Sequence, residues 1–192
     1  MIVTGMVAGL ITLDFKNQNL TEQNRNYVKD LEKINKTLKA FKNHADIDLI
    51  EVTRQGNVES VKLFLDIGAN PNVMDEKQET PLFYAAHFGY TEIADLLIQN
   101  GANLNLKNRN NETALFFATS SEKLKMVEML LQHGAHVDAK NRFGDVPLHI
   151  VAKYQSNPEI AELLIKNGAN VNAKDEDQLT PLYLATENGN TY

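Results

Sequence analysis

His133-Gly134-Ala135-His136 places two imidazoles at a separation from which a metal ion could be held, and Asp175-Glu176-Asp177 offers three successive carboxylates that a calcium ion could use. Neither is complete as a site. The histidine pair straddles a Gly-Ala step that reads as the end of a helix, and the acidic run lacks the Gly and the distant Glu of a calcium loop. Five His and 25 Asp plus Glu are enough for acid–base chemistry in principle. The sequence has no phosphate-cradling Gly loop, no Gly-x-Ser-x-Gly elbow and no His-Glu-x-x-His, and with no Cys it has no thiolate nucleophile, disulfide or Cys-ligated metal. Catalysis therefore has no visible carrier, and neither cofactor nor metal is expected.

The elements that would have to position such groups are legible. The chain has 192 residues, 43% of them hydrophobic, which is enough for a sizeable core. Charge is divided unevenly: residues 1–45 carry seven basic and four acidic side chains, residues 46–192 twelve basic and 21 acidic ones, for a total of −6. That balance disfavours a nucleic-acid partner and places a boundary near Ala45. Met1–Leu13 is apolar but too short to cross a bilayer as a helix, and it lacks the basic start and small-residue cleavage site of a secretion signal. A cytoplasmic location is the default expectation. From Thr21 to Lys42 there is no Gly or Pro, and Val28, Leu31, Ile34, Leu38 and Phe41 recur at helical spacing. This predicts one amphipathic helix with a Lys-rich outer side, suited to capping the domain that follows.

That domain is periodic. Gly-Ala recurs at 68, 101, 134 and 168, and Thr80-Pro81-Leu82, Thr113-Ala114-Leu115, Val146-Pro147-Leu148 and Thr180-Pro181-Leu182 keep the same steps of 33, 33 and 34. Pro81, Pro147 and Pro181 suit the first turn of a helix, where the missing N–H is not needed. Gly89 breaks that helix, Thr91-Glu92 starts a second, and Gly101 ends it through a left-handed conformation. Each unit thus reads as helix, turn, helix and polar loop.

This pattern resembles the ankyrin repeat, whose Thr-Pro-Leu-His-x-Ala signature is nearly spelled out at Val146-Pro147-Leu148-His149-Ile150-Val151 and at Thr80-Pro81-Leu82-Phe83-Tyr84-Ala85. The resemblance implies an all-α solenoid over residues 46–192, in units 46–78, 79–111, 112–144, 145–178 and a partial 179–192, with the N-terminal helix as its cap. It also implies that the His149 ring bonds loop backbone and fixes the next finger. Leu49, Leu82, Leu115, Leu148 and Leu182 form one row expected in the core, and Tyr84, Phe117, Ile150 and Leu184 a second.

Departures from the pattern are local. Gln78, Asn111 and Gln178 stand where the family has a turn Gly, retained only at Gly144, which leaves the loop shape around the two Gln unsettled. Ser121-Glu122 replaces the inter-helix Gly, and one extra residue falls in Tyr154–Pro158. Gly189–Tyr192 reaches a turn before any second helix, so apolar surface near Ile160, Leu163 and Leu164 is expected to be poorly covered.

For function, the resemblance implies a non-catalytic protein-binding module that uses its concave face and finger loops. The row Arg54, His87, Ser120, Lys153 and Glu187 and its neighbours share a geometric place without a chemical type, so packing does not dictate them. The candidate partner-binding residues are Phe88, Tyr154, Phe143, Arg142, His87, Lys153, Arg109 and Glu112, facing a partner with a basic surface. Self-association through the partial last repeat is a further expectation. Competing expectations are a regulatory or targeting segment of a longer enzyme, and a membrane-associated adaptor resting on Met1–Leu13 and the Lys-rich helix. The 22 Asn fit an AT-rich coding genome, a look common among ankyrin proteins of intracellular bacteria and large viruses that act on host proteins.

Overall fold

The computed structural model describes residues 22–154 and 157–189, and within the first helix the side chains of residues 25, 27–37, 44–46 and those from 48 onward. The expectations on Met1–Leu13 lie outside the described residues. Among the described residues all regular structure is helical, in the order α1 (Glu22–Arg54), α2 (Val58–Asp66), α3 (Pro81–Phe88), α4 (Thr91–Gln99), α5 (Ala114–Ser120), α6 (Leu124–Gln132), α7 (Pro147–Tyr154), α8 (Pro158–Lys166) and α9 (Pro181–Glu187). The chain divides into two compact units at His44/Ala45. In the first unit, Val28 and Ile34 of the expected apolar stripe are exposed and Leu31 is half-buried.

The sequence predicts an amphipathic helix over Thr21–Lys42 and a first repeat beginning at residue 46; α1 runs unbroken across that boundary to Arg54. No Gly or Pro interrupts it until Gly56, so nothing in the backbone stops propagation there.

The second unit is built from helix pairs. Thr80 is extended at the N-cap of α3, Pro81 occupies the first turn, and Gly89 closes the helix at φ 79°. Leu82, Ala85 and Ala86 are fully buried, and their small side chains let α3 approach α5 closely. The second helices carry a matching face: Ile93, Ala94 and Leu97 of α4, Met126, Val127 and Leu130 of α6, Ile160 and Leu164 of α8. First helices pack on first helices and second on second, producing one continuous apolar core.

The Gly-Ala period has two separate causes. Gly101 adopts φ 88° with open space where a Cβ would stand, so the backbone angle alone demands glycine. Its neighbour Ala102 is buried, and its N–H reaches Leu97 O at 2.9 Å to close α4.

The finger loops settle the doubt left by the two glutamines. Gln78 (φ 62°), Asn111 (φ 59°), Gly144 (φ 78°) and Gln178 (φ 63°) are all left-handed, so each finger makes the same turn whatever residue sits there. Glu122 (φ 55°) does the same work between α5 and α6 that Gly89 does between α3 and α4. The reason is an Asx turn at each finger base. Asn108 Oδ1 accepts the N–H of Asn110 at 2.9 Å and of Glu112 at 3.0 Å, and Asp75 and Asn141 do the same in their own fingers. Successive fingers are then tied by backbone bonds, Arg109 N to Lys77 O, Arg142 N to Asn110 O and Glu176 N to Phe143 O, at 3.2, 2.8 and 3.0 Å.

Two expectations about the last units need correction. Ile160 and Leu164 are fully buried and Leu163 half-buried, because α8 packs on α7 and α6 and its apolar face needs no later helix. The uncovered apolar surface lies instead on α9, where Leu182 is 72% exposed and Tyr183 51%. Leu182 thus leaves the leucine row: Leu49, Leu82, Leu115 and Leu148 are each overlaid by a following unit, and no described element lies beyond α9.

Candidate partner-binding face

The first helices and the finger bases share one face. Along it, the second row of the repeat is not core. Tyr84, Phe117 and Ile150 are half-buried, and only Leu184 is buried. Two residues on from the leucine row, about 200° around the helix, the side chain leaves the buried face, so its ring or branch remains partly open to solvent. Phe117 meets Phe83 edge-on at 5.2 Å.

Tyr84 shows how tightly the seam is built. Its hydroxyl donates to Asp75 Oδ2 at 2.5 Å, and the Arg54 guanidinium lies 5.2 Å from its ring centre. Burial pushes the phenol well above its ordinary range, and acceptance by the Asp75 and Glu79 carboxylates, with their charge, pushes it further. Burial by itself would raise Asp75 as well. The bond from Tyr84, the N–H groups of Glu79 and Lys77 and the Lys77 charge outweigh it and hold that carboxyl below the ordinary value of 3.8.

Between α5 and α7 the face opens into a groove of about 430 Å³, lined by Glu112, Phe116, Phe117, Ser120, Ile150 and Tyr154. Of the residues singled out from sequence, Glu112 and Tyr154 meet here. The others stand elsewhere. His87 Nδ1 is 2.8 Å from Ser121 Oγ, linking the C-terminal ends of α3 and α5, and its ring contacts Phe88 at 4.9 Å. Phe88, 43% exposed, stacks on Tyr90 at 5.5 Å. Tyr154 and Phe143 are 64% and 54% exposed, with the Lys153 ammonium 5.7 Å above the first ring and the Arg142 guanidinium 4.6 Å above the second. Arg109 is an exposed finger residue whose backbone joins two fingers.

Sequence reasoning puts Ser120 in the variable row but misses Phe116, Phe117 and Ile150 as lining residues, and misses Asp75, Asn108, Asn141 and Asp175 as finger bases. The finger-base row could have been found, since it keeps the same steps of 33, 33 and 34.

Two of the suspected metal ligands bond elsewhere: His133 Nδ1 lies 2.9 Å from Met129 O, and Asp175 Oδ1 accepts the Leu179 N–H at 2.8 Å. Among the described residues no group of three or more His, Asp or Glu is placed to hold a metal ion. His149 is fully buried. Its Nδ1 accepts from Val146 N at 3.1 Å, so the proton sits on Nε2, which donates to Leu179 O at 3.2 Å. The ring therefore joins the start of α7 to the next finger. No described helix is long and apolar enough to cross a membrane.

A family model described as ankyrin repeats (3 copies) matches residues 49–141, and another described as ankyrin repeats (many copies) matches 125–185. No curated protein gives a significant match to the chain. The two matches overlap and run from the last turns of α1 into α9, over the same helix pairs, left-handed finger turns and Gly-Ala stops described above, and the chain belongs to the ankyrin repeat family.

Proposed function

We propose that this chain, built of repeats that are generally protein–protein interaction modules, is a non-catalytic example and holds a partner protein on the face formed by α3, α5 and α7 and the finger loops. The observation that carries this reading is the groove between α5 and α7, where Phe117, Ile150 and Tyr154 remain open to solvent over the buried Phe116. Glu112 and Tyr154 line the groove, and the reading assigns to the same face Phe88 and Phe143, rings with few rotatable bonds to immobilise, and the polar or charged His87, Lys153, Arg142 and Arg109.

The test begins with affinity capture on the intact chain, followed by titration of the purified captured protein. Joint replacement Phe88→Ala and Tyr154→Ala should weaken the complex by more than about 1 kcal/mol. Lys62→Ala on α2, away from this face, should leave it unchanged. Equal affinity for the folded double variant would overturn the assignment of the face. The exposed Leu182 and Tyr183 support a second contact, self-association through α9, which Leu182→Ser should abolish in sedimentation equilibrium. A wild-type chain that sediments as a monomer at all concentrations overturns it.

A further inference from the structure

We propose that the groove between α5 and α7 receives an extended, basic segment of the partner in polyproline II conformation, with Lys or Arg at every third residue and apolar side chains between. This rests on reading the face as partner-binding and adds the chemistry of the occupant.

The lining states half of the requirement. Phe116, Phe117, Ile150 and Tyr154 are apolar or aromatic, Ser120 is neutral, and Glu112 is the one charged lining residue. A volume of about 430 Å³ takes a few side chains. It is too small for a whole helix, whose diameter with side chains is about 10–12 Å. The occupant therefore inserts apolar side chains from a thin backbone and must answer a carboxylate.

That carboxylate is poorly compensated. Glu112 Oε2 accepts from Asn108 Nδ2 at 3.0 Å and from Asn110 Nδ2 at 3.4 Å, amide donors that carry no net charge. One repeat to either side, Glu79 and Asp145 are buried in the same seam and also accept from neutral donors, Glu79 from Asn108 at 3.5 Å and from the Tyr84 hydroxyl, Asp145 from Asn141 at 3.2 Å. Among the described residues none of the three makes an ion pair, whereas Glu51 on α1 pairs with Arg54. Three cations of this face sit over rings, Arg54 on Tyr84, Arg142 on Phe143 and Lys153 on Tyr154, while Arg109 is exposed on its finger. Negative potential from half-buried and buried carboxylates is weakly screened, so it persists at the groove and favours a cationic occupant.

Spacing selects the conformation. Packed helices lie about 8–10 Å apart, so equivalent carboxylates one repeat apart are separated by about that distance. A polyproline II helix has three residues per turn and rises about 3.1 Å per residue, so every third side chain returns to the same edge after about 9 Å. A β-strand would send residues i and i+3 to opposite faces. Its two remaining edges can then turn apolar side chains toward Phe117 and Ile150.

The experiment uses the full chain and fluorescein-labelled peptides read by anisotropy. The probe has lysine at every third position with leucine and proline between. One control has the same composition with the lysines clustered, and the other has glutamate for lysine. The spaced peptide should bind at least about fivefold more tightly than the clustered one and at least about tenfold more tightly than the glutamate one, weakening as salt rises. Joint replacement Glu112→Gln and Asp145→Asn should erase both preferences. If that variant loses helical signal, Glu112→Gln alone, at the half-exposed carboxylate, gives the same readout with a partial effect. Equal binding of the three peptides, tighter binding of the glutamate peptide, no binding of the spaced one, or preferences that survive the folded variants would each overturn the inference. The broader reading fails separately, when the captured protein ignores Phe88→Ala with Tyr154→Ala.

Discussion

The backbone N–H of His136 donates to Asn105 Oδ1 at 2.8 Å, joining residues 31 positions apart in neighbouring repeats. The same relationship links Asn103 to Asn72 at 2.7 Å and Asn170 to Asp138 at 3.1 Å, and within the first unit Asn70 donates to Asp46 at 2.6 Å. Each unit thus supplies an Asn or Asp oxygen that satisfies the first free N–H after the next Gly-Ala stop. This ladder, with the Asx turns of the fingers, gives a structural use to many of the 22 Asn that composition alone attributes to coding bias.

Removing one rung should therefore loosen the stack. Asn105→Ala leaves the His136 N–H without its protein acceptor and is expected to lower stability by about 1 kcal/mol. Asn105→Asp keeps an acceptor at the same position and should lose less. Urea denaturation followed by circular dichroism compares the two; equal losses would mean that the bond contributes nothing.

The Tyr84–Asp75 bond makes stability depend on pH at both ends. Asp75 titrates below its ordinary 3.8 in the folded chain, so its stabilisation is complete above that value and is lost as pH falls through the folded value. Tyr84 titrates above its ordinary 10.0, so its share is present below that pH and is lost as pH rises beyond it. Tyr84→Phe should cost about 1 kcal/mol at neutral pH, with the gap from wild type narrowing at both extremes. Denaturation midpoints across pH measure this, and a gap independent of pH contradicts it.

Buried hydroxyls point the other way. Thr53, Thr113 and Thr119 have buried Oγ1 atoms with no hydrogen-bond partner, and the positions equivalent to Thr53 and Thr119 are Ala86 and Ala152 in two other repeats and Thr186 in the partial last one. Thr119→Ala removes the unpaired hydroxyl and improves helix propensity, at the expense of a methyl contact. A gain of about 0.5–1 kcal/mol is expected. A lower melting temperature would show that the methyl contact outweighs both.

Two glycines should differ in what they tolerate. At Gly101 an added methyl meets nothing within 4 Å, so Gly101→Ala pays only for its left-handed angle, about 1 kcal/mol. At Gly144 the same methyl would stand 2.9 Å from the backbone N of Glu176, in the next finger. Gly144→Ala should destabilise more, by about 2 kcal/mol, and disturb the bond from Glu176 N to Phe143 O. Thermal melts and amide exchange at Glu176 test the ranking.

What the sequence determined by itself is everything that depends on local chemistry repeated at a fixed step. Pro81, Pro147 and Pro181 open helices because a first-turn N–H is dispensable, and Gly101 ends one because its φ is positive. Leu82, Leu115 and Leu148 are buried because every unit repeats the same apolar face. Only the tertiary structure decided what depends on neighbours. Gln78 and Gln178 are held left-handed by finger bonds that no propensity encodes, Leu182 is exposed despite its leucine row, and Phe117 and Ile150 line a groove when their types suggest core. The physical reason is that burial and turn geometry belong to pairs of units, whereas periodicity belongs to one chain.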